Sequence, residues 1–216
     1  MRIAVLGTGA VGWAIASRLV EVGHEVRMGS RTAGNPATLD WLRHVGGSAS
    51  AGTFADAASF GEVVFNCTAG AHSLEALHAA GADGLAGKLL VDVSNALDHA
   101  GEGLPRLFVS NTDSLGEQIQ RAFPEARVVK ALNTMNCDVM VNPALVPGDH
   151  AVFVCGDHAG AKADAAALLD QFGWPAERII DLGDITAACG TEMYMPLWLR
   201  LWTAAGGAHF NIAIAR

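Results

Sequence analysis

A glycine-rich hexapeptide near the start of the chain has the residue types and spacing that could bind phosphate. It reads Gly7-Thr8-Gly9-Ala10-Val11-Gly12, directly follows the strand-like run 2–6 and opens a helix-like apolar stripe over 11–22. In that context Gly7 permits a tight turn, Gly9 lets the backbone approach a pyrophosphate, and Gly12 lets the helix pack closely on the strand. The helix N-terminus adds free N–H groups and a positive dipole end. These features predict dinucleotide binding, and the alternative is a turn that serves packing alone.

The segment after the second predicted strand indicates which dinucleotide is bound. NAD-selective sites place an Asp or Glu there, about 20 residues beyond the glycines, to bind the ribose 2′-hydroxyl. This chain instead has Met28-Gly29-Ser30-Arg31-Thr32, without a carboxylate. Ser30 and Thr32 offer hydroxyls, and Arg31 offers a planar cation that can pair with a phosphate or stack on adenine. The trio favours NADP(H), and the alternative is that Arg31 is a solvated loop charge.

Three further predicted strand ends could contact the nicotinamide end of such a cofactor. They are the segments 66–70, 92–95 and 130–134. In a doubly wound sheet, ligands lie outside the carboxyl ends of the strands, where small and amide residues suit contacts with a ribose and a carboxamide. Asn95 and Asn133 could instead be turn residues that hold their own loops.

The elements that must position these residues alternate between short apolar strands and longer helices, which is typical of a mostly parallel sheet covered by helices. The sequence predicts strands at 2–6, 24–28, 48–51, 62–66, 88–92, 127–132, 151–155 and 178–182. It predicts helices over 11–22, 36–46, 159–172 and 191–205, and further helices that begin at Thr53, Ser73 and Ser114. The predicted fold class is α/β: a Rossmann doubly wound, mostly parallel sheet with a small C-terminal α/β and helical addition.

The loop 142–149 carries two prolines and a glycine and is the best candidate for a domain boundary in the chain. It predicts an NADP-binding Rossmann domain over 1–142 and a C-terminal addition over 143–216 that packs on the sheet, or one continuous domain.

The late segment 193–202 is apolar nearly all round, which indicates a core or a partner surface. We expect a homodimer formed partly through this helix, and the alternative is a lid over a flat second cofactor.

The composition argues against several classes of function. Half of the 216 residues are apolar, 17% are charged, and the formal net charge is −8. Such a chain lacks the basic face that nucleic acids or anionic membranes attract. No segment reads as a signal peptide or a membrane span, and four scattered cysteines fit a reduced set. We therefore expect a cytoplasmic protein without a nucleic-acid, membrane or metal partner.

These segments together resemble the F420-dependent NADP oxidoreductase family, whose nucleotide-binding relatives include the cytosolic domain of STEAP-type metalloreductases. The resemblance covers essentially the whole chain and rests on GTGAVG, GSR, VDVSNAL, VVKALNT and GTEMYMPLWLRLW. It implies NADP(H) as the cofactor, with the deazaflavin F420 or a flavin as co-substrate.

The resemblance also implies roles for particular residues. The pyrophosphate turn would be lined by Thr8, Ala10 and Val11, and the 2′-phosphate would be held by Ser30, Arg31 and Thr32. The inner ribose would be contacted by Thr68 and Ala69. The nicotinamide would be bordered by Asn95, Ala131, Leu132 and Asn133. The chain departs from the family where archaeal members commonly have two consecutive arginines, since it has Arg31-Thr32. It also has Ala96 where the family often has proline, and its segment 134–138 is similar to bacterial members whose acceptor is not established.

The expected function is hydride transfer between NADP(H) and a deazaflavin (F420) or flavin-like acceptor. This reaction needs stacked rings and excluded water more than an acid/base pair, so the sequence assigns no catalytic residue. His72 is a candidate proton donor, but the sequence identifies no carboxylate that would orient it. The alternatives are an NADP(H)-binding redox sensor or regulatory dimer without turnover, and a reductase of a small carbonyl or imine.

Overall fold

A computed structural model describes residues 1–101 and 103–215. Its centre is an eight-stranded sheet with the strand order β10-β9-β8-β5-β4-β1-β2-β3. The strands are β1 (Arg2–Leu6), β2 (Glu25–Ser30), β3 (Ala49–Thr53), β4 (Val63–Asn66), β5 (Leu89–Asp92), β6 (Leu97–Asp98), β7 (Arg106–Leu107), β8 (Arg127–Ala131), β9 (Val152–Cys155) and β10 (Ile179–Asp181). Strands β6 and β7 form a separate antiparallel hairpin.

The sheet is parallel except where β9 runs antiparallel to β8. Strand order reverses between β1 and β4, because β2 and β3 extend the sheet to one side of β1 while β4, β5 and β8 extend it to the other. This reversal is the switch point at which doubly wound folds form a crevice for ligands. The predicted mostly parallel, doubly wound fold is confirmed.

Helices cover both faces of the sheet. They are α1 (Ala10–Glu21), α2 (Pro36–Val45), α3 (Phe54–Phe60), α4 (Ser73–Ala80), α5 (Ala82–Leu85), α6 (Leu115–Ala122), α7 (Cys137–Val141), α8 (Ala159–Phe172), α9 (Ala188–Met193) and α10 (Met195–Ala205). One buried cluster packs α1, α2, α7 and α8 on the sheet, and a second packs α3, α4, α5 and α6 on the opposite face. Buried strand residues such as Val5 and Val64 alternate between the two clusters, as the period of a strand requires.

The predicted single helix over 191–205 is wrong. The structure divides it into α9 and α10, which meet at Tyr194. Pro196 lies in the first turn of α10, where its missing N–H costs nothing, whereas inside a continuous helix its ring would clash with the preceding turn. Because of this break, α9 buries Glu192, and α10 packs separately against Leu97 and Leu107.

Strand β2 extends two residues further than the sequence indicates. Its register with β1 pairs Leu6 with Gly29, and its last residue, Ser30, is buried. A Cβ atom on Gly29 would lie 2.9 Å from side-chain atoms of both Leu6 and Ala57, so the strand can pass this point only as glycine. The loop that carries Arg31 therefore begins at the carboxyl edge of the sheet.

Residues beyond 142 contribute β9 and β10 to the same sheet, and α10 begins a third small cluster with Met195, Trp198 and Leu199. This cluster packs against the β6–β7 hairpin through Leu97 and Leu107. Among the described residues, no helix is both long and apolar enough to cross a membrane.

Candidate functional site

The glycine turn between β1 and α1 is built by close backbone approach. Gly7 has a φ of +117°, and a Cβ there would lie 2.6 Å from the carbonyl oxygen of Cys67. A Cβ on Gly12 would lie 2.1 Å from the carbonyl oxygen of Gly7. Gly9 differs, because its Cβ would meet nothing within 4 Å. Two glycines thus close the turn, and the third leaves open space in front of it.

The N-terminus of α1 faces that open space without a competing cap. Gly9 is the N-cap residue, no side chain in the described part of the chain caps the helix, and its first turn contains no acidic residue. The first N–H groups of a helix have no intrahelical partner, and the dipole places partial positive charge beside them. The turn is therefore suited to an anionic group such as a pyrophosphate.

A cavity of about 350 Å³ lies directly outside this turn. It is lined by Gly7, Thr8, Gly9, Arg31, Phe54, Cys67, Thr68, Ala69, His72, Glu75, Ala76 and Ala79. A second cavity of about 140 Å³ continues it and is lined by Val11, Cys67, Thr68, Ala69, Gly70, Val93, Ser94, Asn95, Leu97 and His99. Because the two share Cys67, Thr68 and Ala69, they form one groove along the carboxyl ends of β1, β4 and β5, which we call the cleft.

The end of β2 contributes one cation to the cleft. Arg31 lines its first half and, within residues 1–101 and 103–215, forms no ion pair. Ser30 is buried, and its hydroxyl donates to the carbonyl of Thr32 at 2.7 Å. The hydroxyl of Ser30 is thus used within the loop, and Arg31 is the side chain that the loop presents to the cleft.

An interlocked pair of amides borders the second half of the cleft. Asn95 donates through Nδ2 to the carbonyl of Asn133 at 2.8 Å, and Asn133 donates through Nδ2 to Oδ1 of Asn95 at 2.9 Å. Leu132 is buried in a left-handed conformation with a φ of +65°, which is rare for such a side chain and turns the chain sharply after β8. The loops after β5 and β8 are therefore fixed to each other.

Not every residue predicted for the site lines the cleft. Gly7, Thr8, Gly9, Val11, Arg31, Thr68, Ala69 and Asn95 lie on its wall. Gly12, Ser30, Ala131, Leu132 and Asn133 are buried behind it, and Ala10 and Thr32 are exposed beside it. The sequence analysis missed six cleft residues, namely Phe54, Glu75, Ala76, Ala79, Leu97 and His99. Leu97 belongs to a hairpin strand of two residues, which is too short to show a periodic pattern.

Beneath the cleft lies a buried ionic cluster of Asp92, Lys130 and Glu192. Lys130 Nζ lies 2.8 Å from Asp92 Oδ2 and 2.7 Å from Glu192 Oε1, and it donates to the carbonyl of Ser94 at 2.5 Å. Burial alone would lower the pKa of Lys130, but the two carboxylates outweigh it, so the pKa lies above the ordinary lysine value. No pattern in the sequence indicates that Glu192 takes part in this cluster.

Glu192 also joins two helices. Its carboxylate accepts from the backbone N–H groups of Leu115 and Gly116, both at 2.9 Å, at the N-terminus of α6. A Cβ on Gly116 would lie 2.9 Å from the Cβ of Ala188, so α6 and α9 approach closely here. A carboxylate at a helix N-terminus is favoured by the dipole, and here it fixes α9 against the sheet.

His72 and Cys67 are the two side chains of the cleft whose types could serve as an acid or a nucleophile. A carboxylate oxygen of Glu75 lies 3.6 Å from Nδ1 of His72, so Glu75 is the carboxylate partner that the sequence analysis did not identify. The side chains of His72 and Glu75 are 72% and 76% exposed, so this contact is solvated and orients His72 only weakly. Burial raises the pKa of the Cys67 thiol far above its usual range, and the charge of Asp92 adds to the effect. Cys67 therefore remains a neutral thiol and a poor nucleophile.

Among the residues that the structure describes, no group of three or more His, Cys, Asp or Glu side chains is arranged to hold a metal ion. The fold and the cleft are those of a dinucleotide-binding protein of the Rossmann class. Residues 2–96 match the family described as NADP oxidoreductase, coenzyme F420-dependent. Together with the 52% identical relative described next, this match shows that the chain belongs to this family.

A similar solved structure comes from Arthrobacter sp. FB24 and is provisionally described as an F420-dependent NADP reductase. It is 52% identical, has a TM-score of 0.93, and the match covers 99% of both chains. The metalloreductase STEAP3 of Rattus norvegicus is 31% identical over 206 residues, which are 91% of this chain and 38% of the rat protein. The chain thus spans under two fifths of that relative.

An imine reductase of Streptomyces aurantiacus shares the fold at lower identity. It is 21% identical with a TM-score of 0.67, and the match covers 95% of this chain and 63% of the reductase. At that identity the likeness supports the fold alone.

Proposed function

We propose that this chain transfers a hydride between NADP(H) and a flat acceptor ring of the deazaflavin (F420) or flavin type. The observation that carries the proposal is the continuous cleft that has Arg31, without an ion pair among the described residues, at one end and an interlocked amide pair at the other. The description of the Arthrobacter relative as an F420-dependent NADP reductase supports the choice of acceptor.

The residues present fit NADP(H). The open space at Gly9 and the uncapped N-terminus of α1 suit the pyrophosphate. Arg31 at the rim supplies a planar cation for the 2′-phosphate, and the end of β2 carries no carboxylate that would repel it. Thr32 adds a hydroxyl next to Arg31. These features favour NADP(H) over NAD(H).

The second half of the cleft suits the nicotinamide ribose and ring. Thr68 and Ala69 lie at the junction of the two halves, where the inner ribose would pass. Asn95, which Asn133 holds from behind, retains an amide hydrogen and a lone pair on the cleft wall that could hold a carboxamide. When bound, NADP(H) supplies or accepts a hydride at its nicotinamide ring.

The chain's own contribution to the reaction is positioning and the exclusion of water. Val93 and Leu97 provide an apolar wall beside Asn95, and Leu97 in turn packs on the cluster of Met195, Trp198 and Leu199. A flat ring that lies against such a wall can approach the nicotinamide to about 3–3.5 Å, which hydride transfer requires. No side chain needs to change its protonation state in that step.

A second candidate is the reduction of a small imine or carbonyl, which needs a proton donor near the nicotinamide. His99 lines the second half of the cleft and is exposed, so it could serve in that role. Replacement of His99 by glutamine would then reduce imine turnover strongly and leave hydride transfer to a deazaflavin within a few-fold.

Turnover with a panel of acceptors tests the proposal. The purified protein is mixed with NADPH and, separately, with oxidised F420, FMN, riboflavin, a ferric chelate and a cyclic imine, and both NADPH oxidation and acceptor reduction are followed. We expect F420 or a flavin to be reduced, with NADPH preferred over NADH by about tenfold or more. Turnover with the imine alone would support the second candidate. Tight NADPH binding without turnover would support a redox sensor.

A further inference from the structure

A hydrogen-bonded chain connects the buried ionic cluster to the wall of the cleft. Asn66 donates through Nδ2 to Asp92 Oδ1 at 2.8 Å. Oδ1 of Asn66 accepts from both the backbone N–H of Thr68, at 3.3 Å, and the hydroxyl of Thr68, at 2.7 Å. Asn66 is fully buried, whereas Thr68 lies on the cleft wall at the junction of its two halves.

The charge of Asp92 determines the direction of every hydrogen bond in this chain. Lys130 pairs with Oδ2, so Asp92 is a carboxylate and can only accept. Its Oδ1 already accepts from the N–H and the hydroxyl of Ser94. The group of Asn66 that faces Oδ1 must therefore be the amide nitrogen, which turns the amide oxygen of Asn66 toward Thr68.

Thr68 must consequently donate its only hydroxyl proton inward, to Asn66. Its Oγ1 also lies 2.8 Å from Oγ of Ser73, and Ser73 supplies the proton of that bond because the proton of Thr68 is already used. The other acceptor for Ser73, the carbonyl of Ala69, is more distant at 3.5 Å. One lone pair of Thr68 then remains for the cleft. A hydroxyl of a ligand can donate to this lone pair, whereas a phosphate oxygen, which only accepts, cannot.

We propose that Lys130 and Asp92 are positioning residues that fix Thr68 as a hydrogen-bond acceptor in the cleft, and so select a hydroxyl of the nicotinamide ribose at this point. The inference rests on the proposed function, because it assumes that the cleft holds NADP(H). Lys130 acts through Asp92 and Asn66 and does not itself contact the ligand.

Replacement of Asp92 by asparagine disrupts this arrangement. Oδ2 of Asp92 accepts from Lys130, and Oδ1 accepts from Asn66 and from both donors of Ser94, so a neutral amide with one oxygen cannot satisfy both sides. The ammonium of Lys130 requires the oxygen most, which places the new amide nitrogen against Ser94 and Asn66. Asn66 can then turn its own oxygen toward residue 92, at the expense of its bond from the backbone N–H of Thr68, and this releases the hydroxyl proton of Thr68 toward the cleft. Glu192→Gln is the matched control, because it neutralises the other carboxylate on Lys130 and leaves the Asp92–Asn66 polarity intact.

The experiment measures the dissociation constants of NADPH and of its 2′-deoxy and 3′-deoxy nicotinamide-ribose analogues by titration, without turnover. We expect the wild type to bind NADPH about three- to tenfold more tightly than one of the analogues, which is the usual range for a neutral hydrogen bond. Thr68→Val and Asp92→Asn should bring that ratio close to one, and Glu192→Gln should keep it.

Each other outcome overturns the proposal. It is wrong if neither analogue binds more weakly to the wild type, if Asp92→Asn retains the wild-type ratio, or if Glu192→Gln lowers the ratio as much as Asp92→Asn does. Should Asp92→Asn fail to fold, Asn66→Leu removes the inward acceptor without leaving Asp92 unpaired and must lower the ratio instead. If the wild type does not bind NADPH at all, the proposed function itself fails, which the same titration distinguishes.

Discussion

At the scale of single residues, the proposed preference for NADP(H) rests on Arg31. It is the cation at the rim of the first half of the cleft, on a chain whose net charge is −8. An anionic ligand must therefore be held by local groups against the average field. Ser30 does not compete for the ligand, because its hydroxyl is used within the loop.

Replacement of Arg31 by alanine should weaken NADPH binding by about tenfold or more, because a charge-assisted hydrogen bond to phosphate is worth roughly 1.5–3 kcal/mol. NADH binding should change less than about threefold, since NADH lacks the phosphate. Titration of both nucleotides checks the prediction. Arg43→Ala is the control, as Arg43 is an exposed arginine of α2 that pairs with Asp40. Equal losses for NADPH and NADH would contradict the assignment.

Lys130 shows how costly it is to break a buried pair. Lys130→Met leaves Asp92 and Glu192 buried without their cation, and the free energy of unfolding should fall by about 3–5 kcal/mol. Lys162→Met is the control, because its partner Asp181 is 54% exposed and such pairs contribute less than about 1 kcal/mol. Urea unfolding of both variants measures the difference, and similar losses for the two would refute the argument.

The same lysine predicts a pH dependence of stability. Its pKa is raised in the folded state, so its contribution is fully present below the ordinary lysine pKa of about 10.4 and is lost as the pH rises through the folded-state value. The difference in unfolding free energy between the wild type and Lys130→Met should therefore begin to shrink only above roughly pH 10. A decline that begins near neutral pH would assign the effect to another group.

At the scale of elements, the loops after β4 and β5 form the second half of the cleft only because they touch. A Cβ on Gly70 would lie 1.8 Å from the carbonyl oxygen of Asn95. Since Asn95 is hydrogen-bonded to Asn133, a displacement of Asn95 would also move the loop after β8. Three strand ends thus behave as one rigid rim.

Gly70→Ala should separate these loops, lower stability by about 1–3 kcal/mol and weaken NADPH binding. Binding of 2′-phospho-ADP-ribose, which lacks the nicotinamide, should change much less, because the first half of the cleft remains intact. Gly160→Ala is the control, since a Cβ at that position of α8 meets nothing within 4 Å. Equal weakening of the two ligands would show that Gly70 acts on the whole fold.

At the scale of the whole molecule, α10 leaves an apolar surface uncovered. Trp198 packs between Trp202 and Phe210, with ring centroids 5.8 and 5.4 Å away. Leu197 is 55% exposed and Trp202 is 47% exposed, which is unusual for large apolar side chains of one helix. The homodimer expected from the sequence stays a prediction, and this face is where we place its contact.

The double substitution Leu197→Glu and Trp202→Glu should convert such a dimer to monomers, because each subunit would have to bury two charges in the contact. Sedimentation of the wild type and of the double variant over a range of concentrations measures this effect. Leu39→Glu is a control, because Leu39 is a similarly exposed leucine of α2 at 42%. A monomeric wild type at high micromolar concentration would rule the homodimer out.

The predictability of the site follows the range of the interactions that build it. The glycine turn is local, since Gly7 and Gly12 contact each other across five positions, and its spacing identifies it in the sequence. The helix over 159–172 was predicted to the residue, because Gly173 ends it in a left-handed C-cap. The helix over 191–205 was not, because the apolar pattern hid the break before Pro196.

The amino-acid sequence by itself determined the doubly wound fold, the phosphate turn and the absence of a carboxylate at the end of β2, because apolar periodicity and glycine spacing act over short stretches of chain. Only the tertiary structure decided that Glu192 reaches Lys130, that Asn95 locks onto Asn133, and that the hairpin residues Leu97 and His99 border the cleft. These contacts join residues from separate elements. Ion pairs and hydrogen bonds of this kind depend on distance in space, and residue types along a chain do not encode that distance locally.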